Sequence, residues 1–371
     1  MNLERRPGIS QEGKFQERVP YAGNLRVLSD ISVFGKSIIF RADLDVSPEE
    51  AEDSLRIKTL KNTTDYLSDG GAKRVILIGH RGRPQGQEES LSTNLLVPSL
   101  KKALNRNVEF IGSDINRVNN GTDEFVLLFE NLRFCRAETD SKSDPYAVNK
   151  FSLAIASMGE VYVNNAIATS HRDNASMVVI PTLVPEAVCG LQVEKEVNEI
   201  EKALSRPRKD FVVLVGGAKI ETKLPVIYKL SQIAEMVLVG GKLPAETKNQ
   251  GLTFRSNVKV AELAESGRDI SEKSAEEFAG YLRSAKTIVW NGSMGVFEKP
   301  ETAKGTLTVA QAIAEATSEG NAHSVAGGGE TELFLLQNNL ISRLSHVSVA
   351  GGAMLEYLSG NIMPGLEVLR K

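Results

Sequence analysis

Residues Phe211-Val212-Val213-Leu214-Val215 form an unbroken apolar run, and Gly216-Gly217-Ala218-Lys219 follows at once. Apolar residues without alternation suit a strand buried on both faces, as in a parallel sheet covered by helices. Paired glycines after such a run mark the turn from strand into helix. The same grammar continues downstream. Met236 to Val239 runs into Gly240-Gly241-Lys242, and Thr287 to Trp290 into Asn291-Gly292-Ser293-Met294-Gly295. Ala322 to Ala326 runs into Gly327-Gly328-Gly329-Glu330-Thr331, and His346 to Ala350 into Gly351-Gly352-Ala353. Glycine-bearing strand ends that alternate with amphipathic stretches predict βα units in one parallel sheet.

The first half repeats the alternation with other residues at the strand ends. Expected strands are Ser37 to Phe40, Arg74 to Ile78, Phe125 to Phe129 and Glu160 to Val163, with helices such as Lys58 to Ser68 and Asn94 to Leu104 between them. Their followers are Arg41-Ala42-Asp43, His80-Arg81-Gly82-Arg83-Pro84, Glu130-Asn131-Leu132-Arg133 and Asn164-Asn165, with Ser170-His171-Arg172 shortly after. Between the halves, Val193 to Leu204 carries charge on most faces and ends at Arg206-Pro207-Arg208, which predicts a connecting helix closed by proline. The predicted fold class is α/β, with two doubly wound parallel-sheet domains, a connecting helix and an interdomain cleft. The domains are expected over 26–192 and 209–354, the link over 193–208, and residues 1–25, which lack either period, read as a mobile extension.

The 371 residues suit two domains, and 25% charged with 41% hydrophobic residues is ordinary globular composition. Lys and Arg number 44 against 47 Asp and Glu, so the net charge of −3 lacks the basic excess of a dedicated nucleic-acid binder. Cys135 and Cys189 lie far apart, which argues against a disulfide scaffold or a structural zinc site. No apolar run approaches the roughly 18 residues of a membrane span, and no secretory signal opens the chain. A cytoplasmic protein with neither nucleic-acid nor membrane partner is the expectation.

In open α/β sheets, ligands bind beyond the carboxyl ends of the strands. Glycine there lets a phosphate approach the backbone, and the next helix offers free N–H groups and a positive dipole end. Any one Gly-Gly pair can be a tight turn, whereas five on one sheet suggest a polyphosphate. Neither GxGxxG with its later acid nor GxxxxGK[ST] is present, so dinucleotide and P-loop readings lose ground. Arg56, His80, Arg83, Arg133 and Arg172 would form a positive patch suited to a small molecule with carboxylate and phosphate oxygens. Pairing of each arginine with a nearby acid such as Glu130 or Asp173 is the plainer alternative. Together the halves imply phosphoryl transfer across a closing cleft.

From about Val27 onward the chain resembles the phosphoglycerate kinase family. His80-Arg81-Gly82-Arg83-Pro84, Glu130-Asn131-Leu132-Arg133-Phe134, Val215-Gly216-Gly217-Ala218-Lys219, Trp290-Asn291-Gly292, Met294-Gly295-Val296-Phe297-Glu298 and Gly327-Gly328-Gly329 occur in family order. The resemblance implies reversible transfer between 1,3-bisphosphoglycerate and magnesium ADP, giving 3-phosphoglycerate and ATP. It implies Asp43, Asp45, Arg56, His80, Arg83, Arg133 and Arg172 for the phosphoglycerate, with Arg56 also meeting the transferring group. Lys219 and Lys223 match lysines on the nucleotide phosphates, Lys219 being the one that stabilises the moving phosphoryl. Gly216, Gly217, Gly240 and Gly241 match the nucleoside pocket, Asn291 a phosphate contact and Glu298 a ribose contact. Gly292, Gly328, Gly329, Thr331, Gly351 and Gly352 join the nucleotide set, and Glu330 the Mg2+ site. Residues 355–371, with Met363-Pro364-Gly365, would return to the first domain, and a monomer is implied.

The chain departs from the family pattern inside the implied site. Asp45 stands for asparagine, Glu330 for aspartate, Ser293 for proline, Val349-Ala350 for threonine-glycine, Asn165 for aspartate and Asp173-Asn174 for alanine-histidine. Ala350 puts a methyl where the family leaves room for phosphate, and the stretch from Gly251 to Thr287 looks shortened, trimming a strand pair. These changes raise two alternatives: an impaired member that binds nucleotide or phosphoglycerate in a regulatory or scaffolding role, and a kinase of another phosphorylated acid.

Overall fold

Unbroken apolar runs become buried parallel strands. In a computed structural model, which describes residues 19–119, 122–140 and 144–371, two sheets of six strands form, and every pairing between strands is parallel. The first contains β1 (Ser37–Arg41), β2 (Arg74–Ile78), β3 (Val108–Gly112), β4 (Val126–Phe129), β5 (Val161–Asn164) and β6 (Glu186–Cys189), in the order 3-4-2-1-5-6. The second contains β7 (Phe211–Val215), β8 (Met236–Val239), β9 (Val258–Val260), β10 (Thr287–Asn291), β11 (His323–Gly327) and β12 (His346–Ser348), in the order 12-11-10-7-8-9. Taken alone, the second order is 6-5-4-1-2-3, the doubly wound arrangement whose reversal point lies between its first and fourth strands. Here those strands are β7 and β10. In the first sheet the reversal lies between β1 and β5.

Among the described residues, the helices of seven residues or more are α1 (Leu60–Asp69), α2 (Val97–Leu104), α3 (Pro145–Ala156), α4 (Leu191–Leu204), α5 (Ile220–Ile233), α6 (Leu243–Asn249), α7 (Glu272–Ser284), α8 (Lys304–Ser318), α9 (Gly329–Gln337) and α10 (Gly352–Leu358). Local signals set several ends. Asp144 accepts from the Ala147 N–H at 3.0 Å, with Pro145 opening α3. Ser271 accepts from the Ser274 N–H at 3.2 Å to start α7. The expected helix from Asn94 begins instead as a 3-10 turn over Thr93–Leu96, because Pro98 marks the first turn of α2.

Helix α4 joins the sheets, packing on α1 and β6 of the first domain and on β10 and β11 of the second. One hydrophobic cluster passes through it, from Ile39 and Tyr162 by way of Val193, Val197 and Ile200 to Val213 and Val289. Residues at the C-terminus lie against the first domain: the Arg26 N–H donates to Leu369 at 2.8 Å, and the Gly365 N–H to Ser170 at 2.9 Å. The expected mobile extension requires correction over its last residues. Tyr21 and Leu25 are buried, Tyr21 Oη donates to Glu367 at 2.6 Å, and Arg370 covers the Tyr21 ring, so an aromatic anchor fixes this stretch. Residues 1–18 lie outside the described residues.

Candidate active site

Strand β1 ends at Arg41, whose side chain is fully buried. Its Nε donates to Ser176 Oγ at 2.9 Å and its Nη1 to the Ala42 carbonyl at 2.6 Å. Its Nη2 lies 2.9 Å from His80 Nδ1 and 4.0 Å from Glu138, also fully buried. Glu138 accepts from the Ser176 N–H at 2.9 Å, from its hydroxyl at 2.6 Å and from Asn174 at 3.2 Å. A guanidinium has no acceptor, so His80 Nδ1 must accept and the ring proton sits on Nε2. That nitrogen faces Asp45 Oδ2 at 3.7 Å. Burial, reinforced by the charges of Arg41, Arg133, Arg172 and Arg56, holds His80 well below the usual histidine range. A neutral imidazole therefore sits among four guanidiniums.

The other expected substrate residues divide into two groups. Arg56 Nε pairs with buried Asp43 at 3.5 Å, and its Nη1 donates to the Asp45 carbonyl at 3.1 Å. Burial raises the Asp43 carboxyl while Arg56 opposes the rise. Arg133 donates to the Gly82 carbonyl, and its buried Nε lacks a hydrogen-bond partner. Burial, aided by Arg172, pulls Arg133 down to about 10. Such a desolvated, unsatisfied cationic donor is what an anionic ligand would satisfy. Arg172 Nε donates to His171 at 3.3 Å. Arg83 is exposed on the loop after β2. Arg81 has another task, tying down its loop through the carbonyls of Val46, Ser90 and Ser92. Sequence reasoning missed Arg41, His171 and Glu138. The strand-end position of Arg41 was a usable signal, whereas Glu138 gave none.

The strand ends of the second sheet border two cavities. One of about 150 Å3 is lined by Gly217, Gly241, Ser293, Phe297, Glu298 and Glu330 among others. One of about 280 Å3 is lined by Lys219, Lys223, Asn291, Gly328, Gly329, Glu330, Gly351 and Gly352 among others. Gly217, Ala218 and Glu330 belong to both. Residues opening α5, α9 and α10 line the larger cavity, so three positive helix ends meet at one space. Lys223 is buried, donates to Asn291 Oδ1, and is pulled by burial down to about 8 with Glu330 opposing. Lys219 is exposed just before α5. Thr331 lies beneath the site, its hydroxyl accepting from the Gly292 N–H at 2.9 Å.

The glycines do not share one task. A Cβ on Gly216 would overlap the Ser293 carbonyl, one on Gly292 the Gly216 carbonyl, one on Gly241 the Gly217 amide and one on Gly240 the Met294 sulfur. These glycines let the ends of β7, β8 and β10 interlock, so their close approach is to other protein atoms. Gly329 and Gly352 have open space where a Cβ would stand. Ala350 also needs correction. Strand β12 stops at Ser348, and Val349 and Ala350 turn into the hydrophobic cluster, so the Ala350 methyl is packed in the core and does not line the cavity. Asn165 is structural, its Oδ1 accepting from Thr63 at 2.9 Å and from the Gln192 N–H at 3.2 Å.

The two sites face each other. A Cβ on Gly351 would come 3.3 Å from Arg56 Nη2, so the first domain's arginine reaches the mouth of the second domain's larger cavity. Glu332 on α9 also faces that side: burial raises its carboxyl, Arg56 opposes and Asp43 adds to the rise. Sequence reasoning missed Glu332. Among the described residues no three His, Cys, Asp or Glu side chains converge on a metal position. Glu330 presents a single carboxylate to both cavities, the kind of ligand that Mg2+ takes together with water and phosphate oxygens.

The family model described as "Phosphoglycerate kinase" matches residues 28–251 and 244–361. The phosphoglycerate kinase of Pelodictyon phaeoclathratiforme is 34% identical over 399 residues, spanning 92% of this chain and 98% of its own. That of Thermosipho africanus is 34% identical over 395 residues, spanning 91% and 96%. Among solved structures, the phosphoglycerate kinase of Pyrococcus horikoshii superposes with a TM-score of 0.78 at 28% identity, covering 93% of this chain and 98% of that one. That of Coxiella burnetii gives 0.75 at 27% identity with the same coverage.

Proposed function

The chain belongs to the phosphoglycerate kinase family, and from that premise we propose how its residues divide the work. The enzyme transfers a phosphoryl group reversibly between 1,3-bisphosphoglycerate and ADP, giving 3-phosphoglycerate and ATP in glycolysis. Residues 26–192 hold the phosphoglycerate, 209–354 the nucleotide, 193–208 link them, and 355–371 return to the first domain. The observation that carries this reading is Arg56 at the mouth of the larger cavity, which puts acceptor-side and donor-side groups on one cleft.

Arg133, Arg172 and His80 bind the phosphoglycerate, Arg133 through its unsatisfied Nε. Arg41 orients the His80 ring through Nδ1. Adenosine occupies the smaller cavity beside Phe297 and Glu298, and the phosphates the larger one, against the three helix ends and Lys223. Mg2+ with Glu330 as its protein ligand would supply charge neutralisation at the phosphates. During transfer the phosphoryl moves from an acyl oxygen to a terminal ADP oxygen. Arg56 and Lys219 then offer positive charge from opposite sides, where preorganised charge lowers the barrier most. Closure of the cleft excludes water. The enzyme works as a monomer in the cytoplasm without a nucleic-acid or membrane partner. No helix among the described residues is long and apolar enough to cross a membrane.

A coupled assay with magnesium ATP and 3-phosphoglycerate tests the reading, a dehydrogenase consuming the bisphosphoglycerate formed. Sustained turnover is expected. Nucleotide binding without turnover would support the impaired alternative instead.

A further inference from the structure

Two of the departures from the family pattern touch each other. Ser293 Oγ donates to Glu330 Oε2 at 3.1 Å. Ser293 is buried and rigidly set, because its carbonyl accepts from the Gly217 N–H at 2.9 Å where the ends of β7, β8 and β10 interlock. Glu330 is exposed and opens α9, and it is the one charged residue lining both cavities. A glutamate has one more rotatable bond than an aspartate, so at an exposed helix start its carboxylate samples several positions. A fixed hydroxyl within bonding distance selects one of them, beside Lys223, whose amine also senses the Glu330 charge.

We propose that Ser293 is a positioning residue for Glu330. The pair acts as one unit, the serine hydroxyl holding the longer carboxylate at the wall shared by the two cavities, where it meets a nucleotide-bound divalent cation. The inference rests on the assignment of these cavities to ADP. It predicts that Glu330→Asp alone gives a worse site, since the shortened carboxylate leaves the serine hydroxyl.

The test is a double-mutant cycle read by calorimetric ADP binding, in Mg2+ and again in EDTA, with wild type, Ser293→Ala, Glu330→Asp and the double variant. Ser293→Ala should weaken binding in Mg2+ about tenfold, the scale of one hydrogen bond to a charged group, and by a clearly smaller factor in EDTA, where only its place in the wall of the smaller cavity counts. In the Glu330→Asp background the same change should cost less than about twofold, and Ser293→Thr should retain the wild-type affinity. An equal loss in both backgrounds, or an equal loss in Mg2+ and EDTA, overturns the pairing while leaving the nucleotide site standing. If Lys223→Ala and every cycle variant bind ADP as wild type does, the cavity assignment fails and the pairing with it.

Discussion

Lys223 and Lys219 border the same cavity in different physical states. Lys223 is buried, and desolvation pulls its amine down to about 8. Lys219 is exposed to solvent. Phosphate oxygens beside Lys223 would favour its charged form and raise its pKa. ADP binding near pH 8 to 9 should therefore take up a proton, and affinity should fall as pH rises through about 8. Calorimetry in buffers of different ionisation heat reads that uptake directly. Lys223→Met should abolish the buffer dependence, and its persistence in the variant would assign the proton elsewhere. If Lys219 faces the moving phosphoryl as proposed, Lys219→Ala should lower kcat by about a hundredfold or more and change ADP affinity by only a few fold. Steady-state rates beside binding titrations separate these effects, and equal losses would place Lys219 on the ground state.

At the scale of elements, the glycine-bearing strand ends split into two classes with opposite expected phenotypes. Gly292 has φ +95°, and a Cβ there would overlap the Gly216 carbonyl. Gly292→Ala should cost roughly 2–5 kcal/mol by adding strain to overpacking, measured by urea unfolding. Gly329 opens α9 with free space around it, so Gly329→Ala should change stability by less than about 1 kcal/mol. It should still weaken ADP binding, because the added methyl holds phosphate away from the helix end; unchanged affinity would mean that phosphate does not approach α9. The same elements explain what the sequence made legible. Central strands such as Phe211–Val215 are covered on both faces and announce themselves as apolar runs. The strands sequence reading missed, Val108–Gly112, Glu186–Cys189 and Val258–Val260, are all edge strands, and each carries a charged residue that breaks the apolar run. Strand-end positions pointed to His80 and Arg133, which lie two and four residues past the ends of β2 and β4. The glycine interlock was hidden because it depends on the register of β7 against β10. Ala350 was misplaced because chain order alone does not show that the backbone turns into the core two residues earlier.

For the whole molecule, the decisive feature is how the connecting helix is fastened to the cleft. Glu196 of α4 is fully buried. It accepts from Gln192 and from the Val349 N–H, each at 2.9 Å, and its second oxygen lies 3.1 Å from His346 Nε2. One carboxylate thus ties the link to β12 and to the residues that lead into Gly351, which faces Arg56. Burial alone would raise the Glu196 carboxyl, but His346, Ser348 and the Val349 N–H together hold it below the ordinary value of 4.5. A carboxyl depressed on folding contributes stability that is fully present above its unfolded value and is lost as pH falls through its folded value. Glu196→Gln keeps the shape and one acceptor oxygen but removes the charge and turns an amide toward His346 or Val349. It should lower stability at pH 7 by about 1–3 kcal/mol, the range for disturbing a buried hydrogen-bonded charge. The variant should also lose part of the wild type's acid sensitivity, so that the two urea midpoints converge as pH drops below 4.5. Because the tie fastens the connecting helix to the second domain, the variant should split thermal unfolding into two transitions where wild type shows more nearly one. Midpoints that stay equally separated down to pH 3.5, together with an unsplit transition, would show that the hydrophobic cluster running through Val193, Val197 and Ile200 couples the domains without Glu196.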